Sequence, residues 1–192
     1  MPYSPEHKLQ SRERILGSAV RLFTRKGFDN TSIDEVMTDA ALTRGAFYAH
    51  FKSKQDLYAQ AIASTPVFSI FGQTKPDGLA DRDWLARLIS AYLSQVHVQK
   101  ADPPCPLAFL VTDVAVNEPE ARQAYTDVYL KMNQLIRTYT KNFSHCDKAT
   151  VMAVTAMMIG GVAVARTLSD SKAQGVLLKS CRQVALDLLG AG

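Results

Sequence analysis

Apolar side chains recur three and four residues apart along nearly the whole chain, and no other feature restricts the fold as much, because that period belongs to helices packed by one face. Between Ala121 and Phe143 the positions Ala121, Ala124, Tyr125, Val128, Met132, Leu135, Ile136, Tyr139 and Phe143 keep it without interruption, which predicts a helix of roughly 30 Å or more at about 1.5 Å per residue. Ile15, Ala19, Leu22 and Phe23 carry the same period in a first helix over residues 11–26. There Arg25 and Lys26 stand against the negative helix end and Gly27 stops it. Period-two alternation with hairpin turns is sustained nowhere. The predicted fold class is all-α, with about nine helices.

Capping residues place the shorter elements. Ser32 and Glu35 have the spacing of a capping box and open a short second helix that ends near Ala40. Thr43 is the N-cap of a third, reaching about Phe51, and Ser53 with Asp56 repeats the box pattern at the start of a fourth, which Pro66 should stop. Residues 66–83 hold two Pro and two Gly and read as a connector. Beyond it Leu85, Leu88, Ile89, Tyr92, Leu93 and Val96 form one stripe, and the run Asp102-Pro103-Pro104-Cys105-Pro106 breaks the chain before a helix beginning near Pro106. The last helix, 176–189, keeps Leu177, Cys181, Val184, Ala185 and Leu188 on one side. The short helices in front and the long ones behind divide the chain into domains of 1–58 and 59–192.

Composition narrows the function classes. With 192 residues, 47% hydrophobic and 21% charged, the chain is neither disordered nor a disulfide-stapled peptide, and about 70% of its unfolded surface is buried on folding. Cys105, Cys146 and Cys181 are an odd count without C-x-x-C spacing, so free thiols are expected, with neither a disulfide framework nor a zinc site. No metal or cofactor is expected. The seventeen residues between Lys148 and Arg166 are uncharged, but they include Thr150, Thr155, Gly160 and Gly161 and have no second span beside them; a helix buried in protein is expected, not a membrane span. The first eight residues lack the apolar stretch of an export signal, which predicts a cytoplasmic protein. Without G-x-S-x-G, a phosphate-binding glycine loop or H-E-x-x-H, an enzyme is not expected.

Net charge is +4 with a pI near 9.0, which permits an anionic partner. From Thr43 to Lys54 the charges are Arg44, Lys52 and Lys54 with no acid, and His50 lies among them. Three short helices with a tight turn between the second and third meet the requirements of a helix-turn-helix unit, whose last helix enters a major groove about 12 Å wide. Phe47 and Phe51, one turn apart, anchor that helix inward and leave Thr43, Arg44, Gly45, Tyr48 and His50 outside. Gly45 costs about 1 kcal/mol relative to Ala within a helix, a cost that close approach of DNA or of a neighbouring helix would explain. Thr31 and Ser32 open the second helix and Lys54 the fourth, where hydroxyls, amide N–H groups and an ammonium suit phosphate oxygens.

The stretch from Arg14 to Leu57, above all Tyr48-x-His50-Phe51-x-Ser53-Lys54, resembles the DNA-binding domain of the TetR family of bacterial transcriptional repressors over about a quarter of the chain. It departs at the turn: Ala40-Ala41-Leu42 stands where the family usually has Ala-Gly-Val, and Met37 where a small residue is common. An altered turn geometry is expected there. The resemblance implies a homodimer paired through the last two helices, with Gly160-Gly161 allowing close backbone approach between subunits, and a near-palindromic double-stranded operator. It assigns 1–58 to DNA binding and 59–192 to ligand binding and dimerisation, in a repressor released by a small molecule. On that template Arg44 and Thr43 meet base edges, with Gly45 beside them, and Thr31, Ser32, Tyr48, His50 and Lys54 meet phosphates. Trp84, Tyr92, Phe109, Tyr125, Tyr129, Met132 and Met152 are candidates to line the effector pocket. No inward cluster of acids or bases is visible among them, so an apolar or aromatic effector is expected. Cys105 precedes Pro106, a favoured first helical residue, which would set its sulfur at the positive end of a helix, where a thiolate is stabilised. It is the candidate for oxidant or electrophile sensing, against the alternatives of an inert thiol and of a DNA-binding dimer with no effector.

Overall fold

The computed structural model describes residues 5–64, 70–71, 73–100 and 104–192. Its described residues form eleven helices: α1 Pro5–Lys26, α2 Ile33–Asp39, α3 Arg44–Phe47, α4 Lys54–Ser64, α5 Asp81–Tyr92, α6 Gln95–Lys100, α7 Pro106–Phe109, α8 Val111–Ala115, α9 Pro119–Thr140, α10 Lys148–Thr167 and α11 Ser171–Leu189. The two beyond the expected nine come from backbone breaks. Leu93, at φ −91° and ψ 53°, separates α6 from α5, and Leu110, at φ −115° and ψ 8°, separates α8 from α7. α1 starts six residues and α11 five residues earlier than the apolar stripes alone indicate. The Pro66 stop and the Asp102-Pro103 part of the break lie outside the described residues.

Two compact units result, one of Met1–Thr65 with Asp102–Val128, the other of Pro66–Ala101 with Tyr129–Gly192. The first therefore holds α7, α8 and the start of α9 as well as the four N-terminal helices. Its core is built from Ile15, Ala19 and Phe23 of α1, Val36 and Met37 of α2, Phe47, Phe51, and Leu57 with Tyr58 of α4. Tyr58 meets the edge of Phe23 at 4.8 Å between ring centres and Phe28 at 5.0 Å. Asp113 of α8 closes this cluster. Its carboxylate accepts the Phe28 amide at 3.1 and 3.3 Å and the Tyr58 hydroxyl. The approach requires Gly27, which lies at φ 80° and would bring an added Cβ within 2.8 Å of the Asp113 Oδ1 atom.

In the second unit α10 is the buried helix, with Val151, Val154, Thr155, Met158, Ile159, Gly161, Val162 and Ala165 inside. By length and composition it could cross a membrane; it runs along α11 with those side chains covered, but its cover is one-sided and not on nearly all sides as the sequence reading expects, since Val164 is 50% exposed. The expected purpose of Gly161 is corrected. An added Cβ there would meet the Cys181 sulfur at 3.1 Å and the Leu93 Cδ2 atom at 3.4 Å, so this glycine admits α11 of its own chain. Gly160 has open space around it.

Candidate nucleic-acid interface

α2 begins with the predicted box: the Ser32 Oγ atom accepts from the Glu35 amide at 3.1 Å, and the Glu35 carboxylate accepts from the Ser32 amide at 2.9 Å. A hydrogen bond from Lys26, joined by the Ser32 amide, lowers the Glu35 carboxyl to about 2. The helix ends with Leu42 N–H reaching the Met37 carbonyl and Ala41 N–H the Thr38 carbonyl, both at 2.9 Å, the paired bonds of a Schellman stop. Such a stop needs a left-handed residue, and Ala41 supplies it at φ 51°. The turn thus keeps a conformation that favours glycine although the residue carries a Cβ, which corrects the expectation of an altered geometry. Arg14 of α1 fixes the turn from outside, donating to the Ala40 carbonyl at 2.6 Å.

α3 is a single turn, and residues 48–50 follow it as hydrogen-bonded turn. Phe47 and Phe51 are buried and 5.7 Å apart, as the anchoring argument requires. Thr43 is the exposed N-cap, and its hydroxyl caps nothing. Arg44 is exposed and reaches back to Asp34 of α2 at 2.6 Å, an ion pair in which both side chains remain about 60% exposed. Gly45 is exposed with nothing within 4 Å of an added Cβ, so the neighbouring-helix explanation fails. Tyr48 is 63% exposed and rests edge-on against Phe47. His50 is half-buried. Its Nδ1 atom has no hydrogen-bond partner, and burial, then Lys8 and Arg12, lower its pKa from the ordinary histidine value. A hollow of about 630 Å³ gathers Thr43, Gly45 and His50 with Lys8 and Ser11 of α1.

Lys54, the first residue of α4, holds its ammonium 4.2 Å from the centre of the Phe28 ring. Ser53 caps that helix, its Oγ atom accepting from the Asp56 amide at 3.0 Å, and the Asp56 carboxylate takes the Lys52 amide instead of the Ser53 amide. Thr31 is corrected. It is buried and donates its hydroxyl to the Gly27 carbonyl at 2.8 Å, so it closes the α1–α2 loop and cannot reach a phosphate. Ser32 stays exposed. Sequence reasoning missed Asp34 and Asp39, each paired with a base, at 2.6 Å to Arg44 and to Arg21. With Glu35 held by Lys26, each of the three acids of α2 is paired with one cation, Arg44 among them.

The effector candidates disperse. Trp84, Tyr92 and Met132 are sunk in packing, and the Trp84 indole donates to the Tyr139 hydroxyl at 3.2 Å. Tyr125 donates to the Leu107 carbonyl and Tyr129 to the Met152 carbonyl, while Phe109 is half-buried. Met152 lines a cleft of about 320 Å³ between α9 and α10, the one candidate that does. Cys105 is indeed an N-cap before Pro106 and half-buried, but α7 is one turn long, so little helix dipole acts on its sulfur. Burial raises the thiol pKa of Cys146 and Cys181.

Known proteins share this unit. Residues 15–61 match the family model of bacterial regulatory proteins, tetR family. The HTH-type transcriptional regulator AcrR of Shigella flexneri is 45% identical over 51 residues, which are 27% of this chain and 24% of that protein. The crystal structure of reduced E. coli NemR has the same fold, with a TM-score of 0.76 over 93% of this chain and 96% of that one at 16% identity. FadR from Bacillus subtilis, in complex with stearoyl-CoA, aligns over 92% of this chain and 96% of that one with a TM-score of 0.63 at 17% identity. The helix-turn-helix with its exposed Arg44 and the matching family model agree that residues 15–61 form a DNA-binding domain of the tetR family type, in a chain that shares the all-α fold of these solved structures and spans less than two thirds of the curated relatives it matches.

Proposed function

We propose that the chain is a cytoplasmic transcriptional repressor that binds a near-palindromic operator as a homodimer and leaves it when a small molecule binds the second domain. The observation that carries the DNA-binding part is the α3 segment. Thr43, Arg44, Gly45 and Tyr48 are exposed on a segment that the buried Phe47 and Phe51 anchor, while Ser32 is exposed at the start of α2 and the Lys54 ammonium stands over the Phe28 ring. Arg44 and Thr43 read base edges, and Ser32, Tyr48, His50 and Lys54 contact phosphates. Division of labour follows 1–58 and 59–192, and the stearoyl-CoA complex of FadR supports an effector with an apolar body for the second part.

The test is an anisotropy titration with the DNA just upstream of the chain's own gene at two salt concentrations, with and without an electrophile. Tight, competitor-resistant binding supports the reading, and its absence on that DNA and on a selected random library overturns it. A second reading rests on Cys105, the half-buried N-cap thiol. If electrophile releases the DNA and Cys105→Ser abolishes that release while binding persists, the signal is a thiol modification and not a reversible ligand.

A further inference from the structure

We infer that the cleft between α9 and the start of α10 is a binding site for an amphipathic organic anion, a small acid whose oxyanion headgroup meets Arg137, Lys141 and Lys148. The inference deepens the effector reading above and rests on it for its regulatory meaning. Asn133 and Arg137 stand one turn apart on α9, Lys141 follows in the turn just past its end, and Lys148 and Met152 stand one turn apart on α10; together with Leu130 they line a cleft of about 320 Å³. That is the size range of small-molecule sites. No acid lines it, and among the described residues none of the three cations forms an ion pair. Arg21, Lys26, Arg44 and Lys75, by contrast, each meet a carboxylate within 2.7 Å, although most other cations of the chain, like these three, form no ion pair among the described residues. The three cations are exposed, so water screens their mutual repulsion, and an anion seated among them would add a direct counter-charge. The nearby Asp147 does not serve this purpose, because its carboxylate is turned to the Thr150 amide at 2.7 Å as the N-cap of α10.

Asn133 supplies an independent observation. It is 5% exposed, its Nδ2 atom donates to the Tyr129 carbonyl at 2.8 Å, and its Oδ1 atom has no donor. Buried acceptors without partners are exceptions in native proteins. A ligand bearing a hydroxyl or N–H a few atoms from its acid group would meet this one after a small adjustment of the cleft wall. Leu130, 45% exposed, and Met152 offer the remaining surface to an apolar body, and a thioether adapts to irregular ligand shapes. The chemistry is therefore an acid with an apolar or aromatic frame and a hydrogen-bond donor.

Calorimetric titration of the full-length chain tests this with 4-hydroxybenzoate, phenyl phosphate, 4-hydroxybenzyl alcohol and inorganic phosphate. Expected are binding of the first two, a Kd that rises at least tenfold in Arg137→Gln/Lys148→Gln and several-fold in Lys148→Gln alone, weakening with added salt, and no binding of the neutral alcohol. No binding of either organic anion at millimolar concentration, or binding unchanged in the variants, overturns the site. Inorganic phosphate binding as tightly as phenyl phosphate overturns the amphipathic class. Whichever anion binds is then added to the chain on operator DNA. Release ties the site to regulation, and DNA that stays bound removes the effector role but leaves the site. Failure to bind any operator refutes the regulator reading and not the anion site.

Discussion

Ala41 carries a Cβ in a left-handed conformation at φ 51°, which costs roughly 1–2 kcal/mol for an L residue. Ala41→Gly should relieve it, partly offset by the greater freedom of glycine in the unfolded chain, for a net gain of about 0.5–1 kcal/mol. Thermal unfolding should move up by about 1–4 °C, and an unchanged or lower midpoint would show that the turn is not strained. The departure at this position was legible in the sequence, and its consequence was not, because the hydrogen bonds closing α2 outweigh the local preference. Arg44 was legible too, but not its ion pair with Asp34, since ten residues of chain separate them and charge spacing across a turn has no fixed rule. Truncating it tests its role. Arg44→Ala should weaken operator binding by about 1–3 kcal/mol while sparing non-specific DNA; Lys54→Ala should weaken all DNA alike and reduce the salt slope by about 1. Equal losses on every sequence from Arg44→Ala would make that residue a phosphate contact.

Among the elements, the front four helices were readable because their caps and periods are local, whereas α7 and α8 were read as one helix. The reason is that Leu110 breaks the helix without Gly or Pro, under tertiary contacts that place Asp113 against Phe28 and Tyr58. Nothing in a sequence pairs residues 28 and 113. Burial and the Asp113 hydrogen bond raise the pKa of the Tyr58 hydroxyl above its ordinary value, so it stays a neutral donor. Asp113→Asn would present an amide N–H to one of these donors and leave it unsatisfied, for a loss of about 1–3 kcal/mol. Urea unfolding measures it, and a loss near zero would mean that water replaces the carboxylate. α6 carries an acid-sensitive counterpart in His97, whose Nδ1–H donates to the Tyr92 carbonyl at 2.6 Å. Burial lowers its pKa below that of the unfolded chain. Below about pH 6.5 the unfolded state then binds a proton that the folded state resists, so this contribution to stability is complete above that pH and lost as the pH falls. Unfolding midpoints between pH 7.5 and 5 should drop more steeply for the native sequence than for His97→Gln, and parallel curves would assign the acid sensitivity elsewhere.

At the scale of the molecule, α10 and α11 leave apolar side chains without cover from their own chain: Val164 is 50% exposed, Val176 66%, Val184 44% and Leu188 51%. The sequence showed these helices to be apolar but not which side faces inward, because Gly161, Cys181 and Leu93 take up the close approach that the paired glycines had seemed to reserve for a partner. Val176, Val184 and Leu188 fall within about one third of the α11 circumference, a stripe wide enough for a helix of a second copy. A two-fold pairing there would tether two α3 segments in one particle, so that binding one half-site raises the local concentration at the other. Val184→Lys puts a charge into that stripe without touching the α2–α3 turn. Light scattering should then report a monomer with its helical circular dichroism retained, and operator affinity should fall by more than tenfold while affinity for non-specific DNA per chain changes little. A monomer that still bound the operator at full strength would separate recognition from dimerisation, whereas a variant that stayed dimeric would move the pairing surface off this face of α11.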